Sequence, residues 1–530
     1  MPSPTLPRLW QTLLLVSMAA TLHATLPGPV PVDTGLLAGI PAPEPGITAF
    51  LGIPYGAPPV GALRWKAPQP AAAWSGVRQA NAFGARAMQS PLFSDMIFRD
   101  NGPSEDCLYL NVWTPAHDPA EKLPVMVWIY GGGLEAGGSS EPRQDGAWLA
   151  TKGVVVVNFN YRLGVFGFFS HPELSAESGH GASGDYGFMD QIAALRWVQR
   201  NIAAFGGDPG NVTIFGESAG SWSVSILMGS PLARGLFHKA IGQSGAGMRR
   251  EVAPEPRVTL AQAEANGVAF GAALGARSLA AMRALPAKTL LEAGRGPAPY
   301  KATRVDGYVL PRDLKDIYLA GEQSHVPLLA GWTADETRVY NVFGSKRPTP
   351  ASFIQDVRTH EGADADRVLQ HYPARSEDEA VQSAGDLACD LFMGVPTWTW
   401  IELHHRTGGA PVFRYSFDRA VPVPADRVVN GKPATGRDVG AVHASDIVYV
   451  FHALASSPGV TWEDADWRLS DAMATYWSNF ARTGNPDGKG LPEWPVYGAA
   501  GGYPVMHLDV TLQARPETHR DRYLFWSDLK

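Results

Sequence analysis

The sequence predicts an α/β protein with a large central, mostly parallel sheet flanked by helices, and two observations support this prediction. Two nearly continuous apolar runs, LPVMVWIY and VVVVNFNY, are rich in β-branched residues. Such runs are typical of strands covered on both faces, as the strands of parallel sheets are. From the first run onward, strand and helix patterns alternate, which predicts parallel strands joined by right-handed crossovers.

The alternating part of the chain continues with a helix pattern in DYGFMDQIAALRWVQRNIAAF. Its apolar residues recur at spacings of three and four, which predicts one apolar helix face. They are Ile192, Leu195, Val198 and Ile202. NVTIF then predicts another buried strand, and AGSWSVSILMG predicts the helix that follows it.

The segments on either side of this pattern are less regular. From Asp33 to Trp113, Gly and Pro interrupt short runs that are typical of meandering antiparallel strands. After about Glu251 the chain becomes Ala-rich and helical, and more helical pattern fills Ala351 to Arg406. We interpret these helical stretches as insertions over one end of the sheet. No repeat and no long linker divides the chain, so residues 25–530 are predicted to form a single domain.

Composition, net charge and cysteine count disfavour a nucleic-acid partner, a disulfide framework and a metal site. With 45% hydrophobic and 18% charged residues, the 530-residue chain is typical of a globular protein with a large core. The net charge of −7 disfavours nucleic acid as a partner, because phosphate binding needs a basic surface. Cys107 and Cys389 are the only cysteines, so no disulfide framework is expected. Neither has the spaced His or Cys neighbours of a metal site, and we expect no metal and no cofactor.

The N-terminus predicts export. Arg8 precedes the apolar run LWQTLLLVSMAATL, and small residues stand at Ala19, Ala20 and Ala24. This pattern is typical of a secretory signal peptide over residues 1–24, and it predicts a secreted or periplasmic protein. A membrane-anchoring or interfacial helix is the alternative. No later stretch reaches about 18 uninterrupted apolar residues, so no stable membrane span is expected once the signal is removed.

The pentapeptide GESAG, Gly216 to Gly220, marks Ser218 as a candidate nucleophile. A GxSxG pattern alone is weak evidence in a chain with 57 glycines, but here it follows a predicted strand and opens a predicted helix. A sharp strand-to-helix turn strains the serine backbone and presents its hydroxyl above the sheet, and the two glycines leave room for that turn. A serine also needs a base that takes its proton during attack.

A second glycine motif, YGGG from Tyr130 to Gly133, ends the run LPVMVWIY. Successive glycines let backbone N–H groups approach a substrate closely, as stabilisation of an oxyanion requires. A flexible glycine loop without function is the alternative interpretation of this motif.

The sequence resembles the type-B carboxylesterases, a family of the α/β-hydrolase fold that includes the cholinesterases. The resemblance covers nearly the whole chain after the signal peptide and implies helical insertions over an active-site gorge. Its motifs are FLGIPYGAPPVGALRW, SEDCLYLNVW, YGGG, NYRLGVFGF, GDPGNVTIFGESAG and WSNFARTGNP.

By this resemblance, Glu336 in LLAGWTADET and His443 in GAVHASDIVYVF complete a catalytic set with Ser218, in the chain order expected for the fold. His443 would act as general base and then as general acid, while Glu336 would hold its tautomer. Asp335 is the alternative acid. The resemblance also implies an oxyanion hole, whose backbone donors are Gly132, Gly133 and Ala219.

Other polar residues near these motifs have less specific roles. Glu217 either tunes the charge of the gorge or supports the structure, and Ser244 resembles a supporting serine of the family. His452 is expected to be a packed histidine. Asn211 begins an N-x-T acceptor but is expected to be structural. The resemblance also implies two structural ion pairs, which are Arg64 with Glu105 and Arg162 with Asp190.

The sequence departs from the family at several positions. Ala87 stands where relatives have a disulfide partner for Cys107, which implies an unpaired Cys107 and a loop without its staple. Ile97 occupies the place of the tryptophan that binds quaternary ammonium in cholinesterases, so choline esters are disfavoured. Tyr130 replaces the usual histidine. Glu135 either favours positively charged substrates or is a solvated carboxylate.

The sequence therefore predicts an exported serine carboxylic-ester hydrolase that acts through an acyl-enzyme on small to medium esters. Its expected partner is a small-molecule ester, and the oligomeric state is left open. A specialised esterase for bulky aromatic or polyacyl natural-product esters is the alternative among enzymes. The alternative of another class is a non-catalytic cholinesterase-like adhesion or binding protein, although such relatives typically lose the nucleophile or its partners.

Overall fold

The computed structural model describes Leu26 and residues 28–248, 258–295, 305–337, 347–429 and 432–529. The predicted signal peptide, residues 1–24, lies outside the described residues. Within the described ranges, no helix combines the length and the apolarity that crossing a membrane requires.

The strands of the described chain centre on one eleven-stranded sheet. In chain order the strands are β1 (Val30–Val32), β2 (Gly35–Ala38), β3 (Ile40–Pro41), β4 (Thr48–Pro54), β5 (Val77–Gln79), β6 (Arg86–Ala87), β7 (Pro103–Ser104), β8 (Tyr109–Thr114), β9 (Leu123–Ile129), β10 (Val155–Phe159), β11 (Gly207–Glu217), β12 (Lys239–Gln243), β13 (Leu328–Thr333), β14 (Val412–Phe417), β15 (Val428–Val429), β16 (Lys432–Pro433), β17 (Pro504–Leu508) and β18 (Gln513–Pro516).

The large sheet has the order β18-β17-β14-β13-β12-β11-β9-β10-β8-β4-β3. All neighbours from β17 to β10 pair in parallel, and antiparallel pairs occur only towards the two edges of this described sheet. Every residue of β10 is buried, as is every residue of β9 after Leu123. The predicted mostly parallel sheet with doubly covered strands is confirmed.

The helices lie between and around these strands. They are α1 (Ala147–Ala150), α2 (Gly164–Gly167), α3 (Pro172–Glu177), α4 (Tyr186–Asn201), α5 (Ala219–Gly229), α6 (Leu260–Ala273), α7 (Leu279–Arg283), α8 (Ala287–Ala293), α9 (Leu314–Leu319), α10 (Pro350–Glu361), α11 (Ala365–His371), α12 (Glu377–Cys389), α13 (Val395–Thr407), α14 (Gly436–Val439), α15 (Ile447–Val450), α16 (Asp464–Thr483) and α17 (Arg520–Ser527). The helices α4 and α5 occupy the predicted segments, and α5 packs against β9, β11 and β12. A π-helical turn, Asp390–Gly394, joins α12 to α13.

The N-terminal strands differ in part from the antiparallel meander that the sequence predicts. The pairs β1–β2 and β4–β8 are antiparallel, as predicted. The pairs β2–β5 and β6–β7 are parallel, so the prediction was wrong for them. A parallel pair needs a long connection between its strands, and here other strands and irregular loops supply it. These strands are too short for their sequence pattern to predict which distant strand they pair with.

The loop between β6 and β7 is held without a disulfide. Cys107 is free and buried, as predicted, and so is Cys389. The buried carboxylate of Asp100 accepts hydrogen bonds from Arg86 Nη1 and Ser140 Oγ, both at 2.5 Å. Two further ion pairs link the loop to the segment after β9, and they are Asp95 with Arg143 and Arg99 with Asp145. Three ion pairs and one hydrogen bond therefore hold this loop.

We expect Asp100→Asn to lower the free energy of unfolding by about 2 kcal/mol, because it leaves the mostly buried Arg86 guanidinium without its counter-charge. Asp364→Asn is the matched control. Asp364 pairs with Arg367 on the exposed surface, so its loss should cost at most about 0.5 kcal/mol. Urea unfolding measures both variants, and equal midpoints would contradict a stapling role for Asp100.

Candidate active site

Ser218 occupies the sharp turn between the last residue of β11 and the first residue of α5. Its backbone angles are φ 56° and ψ −122°, a conformation that costs energy for any residue with a Cβ atom. Its N–H donates to the Gln243 carbonyl at 2.9 Å, which ties the turn to β12. A Cβ atom on Gly216 would lie 2.6 Å from the Ile129 carbonyl oxygen, and one on Gly220 would overlap that oxygen. Glycine at both positions therefore permits the strained serine.

Ser218 is the first member of a hydrogen-bonded chain of three side chains. Its Oγ lies 2.9 Å from His443 Nε2, and His443 Nδ1 lies 2.5 Å from Glu336 Oε2. The other Glu336 oxygen accepts from the N–H of Thr333 at 3.0 Å, which holds the buried carboxylate in place. If Nδ1 donates to the carboxylate, Nε2 is free to accept the serine proton. The structure thus brings together three residues that the sequence separates widely.

The topology of the sheet explains why these residues meet. The turn of Ser218 follows β11, Glu336 follows β13, and the YGGG loop follows β9. These parallel strands end at the same edge of the sheet, where functional sites of such folds assemble.

Asp335 has a different role from its neighbour Glu336. Its N–H donates to the Ala441 carbonyl at 3.0 Å, and its Oδ2 accepts from the Ala441 N–H at 3.0 Å. Asp335 therefore fastens the loop that carries His443, while Glu336 contacts the imidazole itself. Geometry favours Glu336 over the alternative acid.

The YGGG loop lies directly against the serine turn. A Cβ atom on Gly131 would be 2.9 Å from Ser218 Cβ. Gly132 and Gly133 both have positive φ, 109° and 67°, which side-chain-bearing residues rarely adopt. Ala219 begins α5, where backbone N–H groups have no acceptor within the helix. All three predicted oxyanion donors therefore lie in the segments that surround the serine.

A second carboxylate, that of Glu217, also contacts the imidazole of His443. Glu217 Oε1 lies 3.2 Å from His443 Nε2, and the side chain is buried. Burial raises the pKa of Glu217 to about 8. Burial alone would lower the pKa of His443, but the carboxylates of Glu217 and Glu336 outweigh it and raise that pKa to about 9. Glu217 and His443 therefore titrate as a coupled pair. Of its two predicted roles, charge tuning is the one that this contact supports.

The remaining predicted residues lie in structural contacts. His452 Nδ1 lies 2.8 Å from Ser470 Oγ, and its ring stacks on Trp148, so it is a packed histidine as predicted. Tyr130 is buried and stacks on Tyr161 with ring centroids 4.6 Å apart.

Five other predictions concern polar residues outside the hydrogen-bonded chain. Asn211 Nδ2 donates to the Arg482 carbonyl at 3.3 Å. Ser244 is buried directly after the end of β12, with a strained φ of 53°. One carboxylate oxygen of the half-buried Glu135 is enclosed, so this carboxylate is not fully solvated. Both implied ion pairs form, and they are Arg64 with Glu105 at 2.6 Å and Arg162 with Asp190 at 2.7 Å.

Sequence reasoning missed two residues around the imidazole. Phe392 packs its ring edge-on against His443, with centroids 5.1 Å apart. Asp446, three residues after His443, is buried and accepts a hydrogen bond from Tyr415 at 2.8 Å. Its nearness to His443 in the chain was a usable signal, whereas Phe392 lies in an ordinary helical pattern with none. The described residues contain no group of three His, Cys, Asp or Glu side chains that could hold a metal.

A serine that is hydrogen-bonded to an imidazole can perform acyl transfer when the imidazole is itself hydrogen-bonded to a buried carboxylate. The model of the carboxylesterase family matches residues 28–526, nearly the whole chain. The chain belongs to the carboxylesterase family.

Individual carboxylesterases support this membership. The chain is 36% identical to the fumonisin B1 esterase of Sphingopyxis macrogoltabida, over 88% of this chain and 84% of that protein. It is 35% identical to the liver carboxylesterase of Sus scrofa, over 98% and 96% of the two chains. The crystal structure of a carboxylesterase from Geobacillus stearothermophilus superposes with a TM-score of 0.78 at 32% identity, covering 94% and 99%. The predicted α/β-hydrolase fold and the assignment as a carboxylesterase-family hydrolase are confirmed.

We expect the His443 imidazole to titrate above its ordinary pKa of about 6.5, because two carboxylates favour its charged form. Glu217→Gln removes one of these charges and should lower the pKa of His443 by on the order of one unit. NMR of histidine-labelled protein over a pH series measures this shift. Glu292→Gln, on the exposed surface, is the control. A His443 pKa that is unchanged or higher in Glu217→Gln would contradict the charge coupling.

Proposed function

We propose that this carboxylesterase-family protein is a serine carboxylic-ester hydrolase that works through an acyl-enzyme. The observation that supports it is the hydrogen-bonded chain from Ser218 through His443 to Glu336. His443 Nε2 takes the serine proton while Oγ attacks the ester carbonyl carbon. The tetrahedral intermediate collapses when the same nitrogen returns the proton to the leaving alcohol. Water then repeats both steps on the acyl-enzyme, releases the acid and restores the serine.

Glu336 and the glycine loop have supporting roles in this mechanism. Glu336 keeps Nδ1 protonated and stabilises the imidazolium that forms during each transfer. The N–H groups of Gly132, Gly133 and Ala219 are the proposed donors to the oxyanion. Each such donor typically contributes about 10²- to 10³-fold to the rate.

We propose small to medium esters as the substrates. A second candidate is a specialised esterase that acts on fumonisin B1, and the 36% identity to the fumonisin B1 esterase favours it. Relative kcat/KM values for short-chain p-nitrophenyl esters and for fumonisin B1 separate these candidates. A preference for fumonisin B1 of a hundredfold or more would favour the second.

We also propose that residues 1–24 direct export and are removed, which leaves residues 25–530 as one domain in the periplasm or outside the cell. The support is the sequence pattern of the N-terminus. N-terminal sequencing of the protein from fractionated cells tests this, and an intact Met1 in the cytoplasmic fraction would contradict it.

We expect Ser218→Ala to abolish hydrolysis of p-nitrophenyl acetate, because no hydroxyl remains to form the acyl-enzyme. Ser225→Ala removes a hydroxyl from the same helix, where its Oγ donates to the Trp222 carbonyl and accepts from the Gly247 N–H, and the variant should retain most of the activity. Thermal unfolding of both variants checks that they are folded. Equal turnover by the wild type and Ser218→Ala would refute the assignment of the nucleophile.

We expect Glu336→Gln to lower kcat by about 10³- to 10⁴-fold, because an amide favours the wrong imidazole tautomer. Asp335→Asn should lose less than about tenfold, since its side-chain oxygen can still accept the Ala441 N–H. The ester assay used for Ser218→Ala measures both. An active Glu336→Gln beside an inactive Asp335→Asn would reverse the choice of acid.

A further inference from the structure

The π-helical turn Asp390–Gly394 brings one aromatic ring to the active site. Turns of this kind are rare and are frequent at functional sites. Phe392, in the middle of the turn, lies edge-on to His443 with ring planes at 67°. The side chain is nevertheless 42% exposed. A ring that contacts the imidazole and still faces solvent has a free surface for part of a substrate.

Asp390 holds the start of this turn. Its buried carboxylate accepts a hydrogen bond from the Tyr372 hydroxyl at 2.6 Å and pairs with Arg522 Nε at 2.7 Å. Arg522 belongs to α17, and Trp526 of the same helix donates to the Tyr372 hydroxyl at 2.8 Å. The helix α17 therefore contacts Asp390 directly through Arg522 and indirectly through the Tyr372 hydroxyl.

The position of Phe392 beside His443 indicates which part of an ester it would contact. In the proposed mechanism, His443 Nε2 must reach the oxygen of the leaving alcohol. The alcohol portion therefore lies on the histidine side of the site, whereas the acyl portion is bonded to Ser218 Oγ. An exposed phenyl ring at the histidine side suits an apolar alcohol, and best an aromatic one, because aromatic pairs gain more than their buried area.

We propose that Phe392 is a specificity-determining residue for esters of apolar, and above all aromatic, alcohols, and that Asp390 is the positioning residue that holds its turn. This inference rests on the proposed function, because it assigns the side of the site from the role of His443. The competing explanation is that Phe392 merely orients the imidazole and contacts no substrate. The two explanations differ in which reaction steps they affect.

Two acetate esters, ethyl acetate and 2-phenylethyl acetate, distinguish the specificity role of Phe392 from the imidazole-orienting role. Both form the same acetyl-enzyme, so deacylation is common to the pair and only acylation depends on the alcohol. Phe392→Ala should lower kcat/KM for 2-phenylethyl acetate by about tenfold, the size expected for one lost apolar contact. The kcat/KM for ethyl acetate and the deacylation rate should change less than about twofold. Deacylation is measured by stopped flow after a p-nitrophenyl acetate burst.

An imidazole-orienting role gives another pattern, because His443 serves as the base in deacylation too. Equal losses for both acetates, with slower deacylation and a shifted pH profile of kcat/KM, would overturn the proposal. An unchanged ratio of the two acetates with normal activity would overturn it as well. A wild-type protein without Ser218-dependent turnover would instead refute the proposed function itself, so the two failures are distinguishable.

The role of Asp390 is tested through its partner Tyr372. Tyr372→Phe removes one hydrogen bond from the Asp390 carboxylate and keeps the ring, so the fold should survive. The selectivity for 2-phenylethyl acetate should fall by about threefold, again with unchanged deacylation, as expected for a loosened turn. Val510→Ala, which trims a 55% exposed side chain between β17 and β18, is the matched control. Full selectivity in Tyr372→Phe would show that Asp390 does not position Phe392 through this bond.

Discussion

The candidate active site depends first on the backbone of Ser218. A positive φ at a residue with a side chain costs on the order of 1–3 kcal/mol, and it persists only where the surroundings impose it. Here β11 and α5, which meet at this residue, are both packed into the core, and β12 holds the serine N–H. Glycines two positions before and after the serine remove the Cβ atoms that would collide with the strand next to them. The rigid sheet thus supports a turn that aims the hydroxyl at the imidazole.

The second constraint is electrostatic. One imidazole lies among the buried carboxylates of Glu217, Glu336 and Asp446, so its protonated form is favoured although burial opposes it. This field suits a mechanism in which an imidazolium forms during each proton transfer. The same field limits the histidine as a base, since a raised pKa leaves less of the neutral form at a given pH. In the proposed mechanism, the site therefore combines stabilisation of the imidazolium with a dependence of the rate on pH.

The periphery of the fold holds parts of the site through ion pairs instead of covalent links. Asp100 holds the loop between β6 and β7 through its contacts with Arg86 and Ser140. At the C-terminus, Arg522 of α17 pairs with Asp390, and Arg520 pairs with Glu402 of α13. Buried pairs of this kind contribute less to net stability than they cost when one partner is removed. Here ion pairs connect the loop to the segment after β9 and the π-helical turn to α17.

Local patterns in the sequence determined the strands β9, β10 and β11, the helices α4 and α5, and the strained serine between β11 and α5. The periodicity of apolar residues, the glycines and the β-branched residues act over a few positions of the chain. These signals can therefore be recognised in the sequence itself. The resemblance to the carboxylesterases pointed to His443 and to Glu336, with Asp335 as the alternative acid. Only the tertiary structure shows that Glu336, and not Asp335, contacts the imidazole, and that Glu217 contacts it too. The parallel pairing of β2 with β5 and the place of Phe392 were also decided there. Each joins residues that packing, not neighbourhood in the chain, brings within bonding distance.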